Sequence, residues 1–412
     1  MNHHKSITST KKNPKPPVQW LSYLGPGFIT AALVFGPGSL TITSSLGASY
    51  GYALLWVILL STLFMMVFTT MAIRIGLAAD HSLLVIIRNK WGKTIAVMIG
   101  IGIFLVTASF QAGNAVGAGL AFSELFGTAI TPWIVLCTLI SLSLLYFKSF
   151  YSILEKVMLL LVSIMLISFL GTLIIIKPGF TAIASGLIPS LPAGSLLLAI
   201  ALIASSFSIV GAFYQSYLVQ EKKWKRNQLK VATREGLSGI GVLGFIGAII
   251  LLCAAAVLHP MDITIESAAD MGIAIEPLFG KFATVLFMIG LFGASFSSLI
   301  GNATIGGTLL SDALGLGNRL SDSRTRLLIM VVMLTGAAVA VWFGGIPIDL
   351  IVFAQGITIF IVPFIGIVLF MTANSEDILG DYKNGILSKI FGFIGILVLI
   401  MLALRNAYLL IN

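Results

Sequence analysis

The chain has 412 residues, of which 58% are hydrophobic and only 9% charged, and its mean hydropathy is +1.07. A soluble domain carries roughly 25% charged residues to solvate its surface, so this composition excludes a water-soluble globular protein and makes lipid the main solvent. The net charge of +9 is scattered over segment ends, which excludes a nucleic-acid partner as its reason.

Residues 1–18 form a polar, basic arm with Pro14, Pro16 and Pro17, expected to be disordered and cytoplasmic. His3 and His4 belong to that arm and read as a solvated tail, not as metal ligands. No signal peptide is expected, because the first apolar run starts only near Gly25 and is too long for an h-region. A spanning helix needs about 20 apolar residues. Eleven apolar segments follow, near 25–47, 51–78, 95–123, 129–147, 151–176, 192–219, 236–258, 281–310, 325–343, 346–372 and 385–410. The second, third and eighth are long enough to tilt or protrude.

Lys and Arg set the orientation, since they gather on the cytoplasmic side. With the N-terminus inside and the segments alternating, 21 of the 24 basic residues fall on the inner side, among them Arg74, Arg88, Lys90, the run Lys222 to Arg234, and Arg319 to Arg326. Only Lys177, Lys281 and Arg405 fall outside. This predicts a multi-pass protein of the cell membrane with the N-terminus cytoplasmic and the C-terminus extracytoplasmic. Asp262, Glu266, Asp270 and Glu276 occupy the one substantial outer loop, and no acidic residue is expected in the middle of a span. Intramembrane charge usually marks a cation or proton path, so its lack is informative.

The first segment contains Phe35-Gly36-Pro37-Gly38-Ser39. Pro removes a backbone donor and clashes with the preceding turn, so a break is predicted, with one half-helix ending near Val34 and another starting near Ser39. The sixth segment carries Ser205-Ser206-Phe207-Ser208-Ile209-Val210-Gly211 at midspan, a weaker signal of the same kind. Interrupted helices at matching places in two halves point to a transporter's central site. Cys137 and Cys253 lie in apolar runs and read as buried free thiols. Gly239-Ile240-Gly241-Val242-Leu243-Gly244 matches G-x-G-x-x-G inside a span, and Gly113 with Gly117 forms a GxxxG; both read as helix packing. Gln111 and Asn114 either line a water path or bond to a neighbouring helix.

Several stretches resemble the NRAMP (natural resistance-associated macrophage protein) family of divalent-metal transporters. They are Leu24-Gly25-Pro26-Gly27, Gly36-Pro37-Gly38-Ser39, Gly47 to Tyr52, Gly113 to Gly127, Ser216 to Gln220, Phe292 to Gly307 with Ser297-Ser298, and Gln355. The resemblance covers nearly the whole membrane part and implies a bacterial-type member. It also implies an all-α membrane protein with the LeuT-type 5+5 inverted repeat, an eleventh transmembrane helix, and helices 1 and 6 interrupted. The expected division is the arm, helices 1–5 over 19–178, helices 6–10 over 190–373, and helix 11 over 384–411. Carried over residue by residue, the family's metal-binding Asp falls at Gly36 and its Asn at Ser39. Its sixth-helix Met falls at Ser208, the following His at Val210, and the Ala with a binding carbonyl at Ser205. Acidic residues linked to proton movement fall at Val85, Gln111 and Asn114. A transition-metal site needs carboxylate, imidazole or sulfur donors, so the family's usual metal site is not expected.

The expected function is a secondary transporter working by alternating access, with no enzymatic activity. Its substrate site is expected at Gly36, Pro37, Gly38, Ser39, Thr41, Ser205, Ser206, Ser208, Val210 and Gly211. Half-helix N-termini after Gly38 and Gly211 and the nearby hydroxyls suit a small anion such as bicarbonate. Gln111, Asn114, Ser297, Ser298 and Gln355 are the candidates for a pathway or for a coupling ion. Sodium is the coupling ion considered, between helices 1 and 8 at Ser297 and Ser298. A divalent cation (Mg2+-like, or Mn2+ or Fe2+) and a non-transporting sensor or scaffold are the alternatives. Lipid and a small ion are the expected partners, and a monomer is compatible with all of this.

Overall fold

In a lipid core a backbone has no water to bond to, so long apolar runs satisfy themselves as helices. The computed structural model describes residues 36–265, 268–343 and 348–411. The arm, the first half of the first segment and the side chain of Gln355 lie outside the described residues. Each of the eleven apolar segments has its helix. They are α1 (Pro37–Tyr50), α2 (Leu55–Ala78), α4 (Lys93–Phe126), α5 (Ile130–Leu144), α6 (Lys148–Ile176), α8 and α9 (Leu196–Ser206 and Ile209–Glu221), α10 (Leu229–Val257), α13 (Ala283–Leu314), α14 (Ser323–Trp342), α15 (Ile348–Asn374) and α17 (Ile386–Ile411). Short helices α3 (Leu83–Trp91), α7 (Phe180–Ser185), α11 (Ala268–Ile273), α12 (Glu276–Phe279) and α16 (Glu376–Leu379) fill the connections. No strand occurs among the described residues.

Local chemistry sets the helix ends. Ser82 caps α3, its Oγ accepting the Val85 N–H at 3.3 Å. Gly127 (φ 62) closes α4 and Gly315 (φ 77) closes α13 in the left-handed region that glycine enters without strain. Among the described residues, seven helical stretches are long and apolar enough to cross a membrane on their own, while α5 is shorter and α15 bends by 63° into α16.

The helices pack as two groups. In one, α10 lies against α1 and α2, α9 against α2, and α8 against α1. In the other, α4 and α13 pair along their lengths, flanked by α14 and α5. Close approach inside each group depends on small residues, because apolar burial gives helices in lipid no drive to associate and van der Waals contact must supply it. A Cβ on Gly76 would lie 2.5 Å from the Ser216 carbonyl oxygen, so α2 and α9 touch backbone to backbone. A Cβ on Gly307 would lie 2.6 Å from Ile329 Cα, fixing α13 on α14 in the same way. Gly244 meets Thr62 within the first group and Gly117 of α4 meets Pro37 of α1 between the groups, so both glycine motifs do serve packing. Both cysteines are buried and unpaired.

Gly307→Val is therefore expected to destabilise the protein by at least ~2 kcal/mol through overpacking, read as a lower melting temperature in detergent. Gly385→Ala is the control: a Cβ there meets nothing within 4 Å, and its melting temperature should be unchanged.

Candidate functional site

Gly36 is extended (φ −94, ψ 177) and Pro37 opens α1. Pro suits this first position, since its missing N–H is one the helix start leaves unpaired anyway. This corrects the expected start near Ser39 by two residues. The helix N-terminus is set by the proline itself, not by the glycine after it. Residues Pro37 through Ala48 are all buried.

The second break is well defined. α8 ends at Ser206, Phe207 and Ser208 are non-helical, and α9 starts at Ile209. Phe207 is fully buried, its ring 5.5 Å from Phe64 and 5.3 Å from Phe68 of α2, centroid to centroid. That aromatic clamp pulls the chain out of helical geometry. Ser208 then caps α9, its Oγ accepting the Gly211 N–H at 3.1 Å. The expected start after Gly211 is corrected to Ile209, because Ser208 is a good cap and nothing about Gly211 requires a break. Gly211 lies in the first turn, where its amide is taken by Ser208. Roughly half an elementary charge still resides at each helix start, and the amides of Gly38, Ser39 and Val210 sit in first turns, where an α-helix supplies no partner.

α1 packs against α8, which brings the breaks together. Ser39, Ser205 and Ser206 line one cavity of about 10 Å³ with Thr62 of α2 and Gly244 and Gly247 of α10. That volume holds about one water. Ser205 was expected to donate to a substrate, but its hydroxyl donates to the Leu202 carbonyl at 3.0 Å. Thr62 likewise donates to the Ile58 carbonyl at 2.7 Å. Both therefore offer oxygen lone pairs to the cavity. Thr41 is buried, but it lies two positions beyond Ser39, about 200° around the helix. Thr41, Ser208, Val210 and Gly211 do not line this cavity.

Gly36 and Pro37 face the other way, toward α4 and α13. A Cβ on Gly36 would lie 2.9 Å from Asn114 Oδ1 and 3.4 Å from Ser298 Oγ. A Cβ on Gly117 would lie 2.8 Å from Pro37 Cβ. Gln111 is fully buried and donates through Nε2 to the Leu299 carbonyl at 2.5 Å, and Asn114 donates through Nδ2 to Gln111 Oε1 at 2.9 Å. Gln111 thus bonds to a neighbouring helix, while Asn114 donates to Gln111 on its own helix. Ser298 is buried beside the break, whereas Ser297 is half-buried one position around α13. Sequence reasoning missed Thr62, Gly244 and Gly247. They come from helices 2 and 7, which carry no break and no polar motif. It also missed a buried acid, Asp312, at the end of α13.

Gln111→Leu removes the partner of both Asn114 Nδ2 and the Leu299 carbonyl. A loss of ~1–3 kcal/mol is expected, measured as reduced thermal stability in detergent and partly restored by Asn114→Leu in the same chain.

Comparison with known proteins fits this geometry. A sequence profile described as natural resistance-associated macrophage protein-like matches residues 27–411. The "Divalent metal cation transporter MntH" of Deinococcus radiodurans is 26% identical over 405 residues, covering 95% of this chain and 89% of that protein. A manganese transporter from Eremococcus coleocola superposes with a TM-score of 0.76 at 21% identity, covering 96% of this chain and 88% of that one. MHP1, a nucleobase-cation-symport-1 family transporter, gives 0.62 at 14% identity over 93% of this chain and 92% of its own. The fold is thus the LeuT type, an inverted 5+5 repeat with an eleventh helix.

Proposed function

Because this chain belongs to the natural resistance-associated macrophage protein family, we propose that it is a secondary transporter that moves a small ion across the membrane by alternating access, and that the ion is an anion of bicarbonate size. The single observation behind the anion is the donor set at the two breaks. Positions 36, 39, 208 and 210 hold Gly, Ser, Ser and Val, so no carboxylate, imidazole or thioether stands where the two half-helices start. What remains is first-turn amides, the positive ends of α1 and α9, and the hydroxyls of Ser39 and Ser206. Such an arrangement attracts negative charge. The cavity is too small for bicarbonate in this conformation, and all its walls belong to the first helix group, so binding requires α1 and α8 to shift relative to α2 and α10.

Two further parts belong to the same proposal. Sodium is the coupling ion, neutralising the anion's charge on the far face of the break, where Asn114 Oδ1 and Ser298 approach Gly36. The end of the bundle carrying Arg88, Lys222 and Arg326 faces the cytoplasm, which places the N-terminus inside and the C-terminus outside.

A second reading, a divalent cation, has its own support. The comparisons back it better than they back the anion, since the named relatives are divalent-metal and manganese transporters. The lone pairs of Thr62 and Ser205 also suit a hard cation such as Mg2+, which binds through oxygen and keeps several of its waters.

Uptake into proteoliposomes separates the two. Radiolabelled bicarbonate should accumulate, more so under an inward sodium gradient, and Ser39→Ala and Gly36→Asp should each reduce it roughly tenfold or more, one lost charge-assisted hydrogen bond being worth about that factor. Ser208→Ala should also reduce it, but it removes a helix cap worth about 1 kcal/mol and needs a folding control. Manganese quenching of an entrapped dye, with no bicarbonate uptake, would falsify the anion and leave the transporter.

A further inference from the structure

At the basic end of the molecule a buried polar cluster lies outside the substrate site. Tyr217, in the last two turns of α9, donates its phenol hydrogen to Asp312 Oδ2 at 2.6 Å. Asp312 sits in the last turn of α13 and is 5% exposed, Tyr217 8%. The phenol oxygen in turn accepts the Leu84 N–H of α3 at 3.3 Å. From the same face of α3, Arg88 donates to the carbonyl oxygens of Asp312 and Ala313, each at 2.7 Å. A cation there satisfies the terminal carbonyls of α13 and sits at its negative pole. Arg88 thereby fixes the end of α13 that carries Asp312, while the Leu84 N–H of the same helix orients the Tyr217 hydroxyl toward it.

The topology gives this contact its meaning. α9 packs on α2 and α15, whereas α13 packs on α4 and α14. Tyr217 is thus a bridge from one helix group to the other. The ring is held by stacking on Tyr214 and Phe213, with centroids 6.1 and 6.4 Å away. A hydrogen bond to a charged acceptor in a water-poor site is strong while closed, and it closes or breaks over a fraction of an ångström. A few such bonds suffice to bias two arrangements of rigid helix groups.

We propose that Tyr217 and Asp312 form a latch between the two helix groups, closed in this conformation and broken each time the basic end opens. The idea rests on alternating access but not on which ion is carried. Gln220 Nε2, bonded to the His81 carbonyl at 2.8 Å, ties the end of α9 to the α2–α3 connection. It stays within the first group's edge and is not part of the latch.

The test uses the full chain in nanodiscs, with spin labels on cysteines introduced at Glu221 and Leu314, exposed at the ends of α9 and α13. With the latch intact the short distance should dominate. Tyr217→Phe, which deletes one hydroxyl, should raise the ratio of long to short distances roughly tenfold, the shift that one hydrogen bond to a charged group is worth. Asp312→Asn keeps an acceptor for the phenol and should shift the ratio less; if Tyr217→Phe does not fold, Asp312→Asn is read by the same criterion. Gly385→Ala, where a Cβ meets nothing within 4 Å, is the control and should shift nothing. A distribution that widens on adding bicarbonate or manganese but is unchanged by the latch variants overturns the latch alone. A distribution that never widens, with any variant or ion, overturns alternating access as well.

Discussion

Interrupting a helix inside a membrane exposes backbone groups that lipid cannot satisfy, at several kcal/mol each. The rest of the structure is arranged around that constraint. α1 is buried from its proline through Ala48, so the first break never meets lipid. The second is wrapped by Phe64 and Phe68, which hold Phe207, and by Ser208, which returns one amide to the protein. Beside the breaks, Ser39, Ser205 and Ser206 line a small cavity between α1, α2, α8 and α10. Under the proposed function, polar groups that are costly elsewhere in this protein serve there as a binding surface.

Small residues decide where the protein is rigid and where it gives. Gly76 seats α2 on the backbone of α9 and Gly307 seats α13 on α14. These contacts lie within each helix group and tolerate no sliding. Between the groups the contacts are mixed: the Tyr217–Asp312 hydrogen bond, the approach of Asn114 and Ser298 to Gly36, and Pro37 seated on Gly117.

The fold was legible because each span is a long apolar run with its basic residues at the ends, and helices follow directly from that in lipid. The start of α1 was legible to within two residues because a proline announces it. The second was only half legible. Ser-Phe-Ser-Ile is tolerable helix sequence, and the departure is imposed by α2 aromatics some 140 positions away. The same limit applies to Gln111 and Asn114, whose bonding depends on a carbonyl of α13 that no local pattern reveals. Thr62, Gly244 and Gly247 reach the cavity only through tertiary packing. Asp312 stood in plain view as an acid near a span's end, but its burial depends on Tyr217 and Arg88 arriving from two other helices.

The capping of α9 by its own Ser208 has a kinetic side. A helix start already organised by the protein's own serine needs no ligand to complete it, so under the proposed function α9 undergoes no ordering step on capture or release. Preorganisation of this kind removes an entropic cost at arrival. It also means that an ion departing leaves no collapsed backbone behind to be rebuilt. Dwell time is then set by how quickly water and the opposing helices exchange places with the ion, which suits a carrier whose task is turnover and not storage.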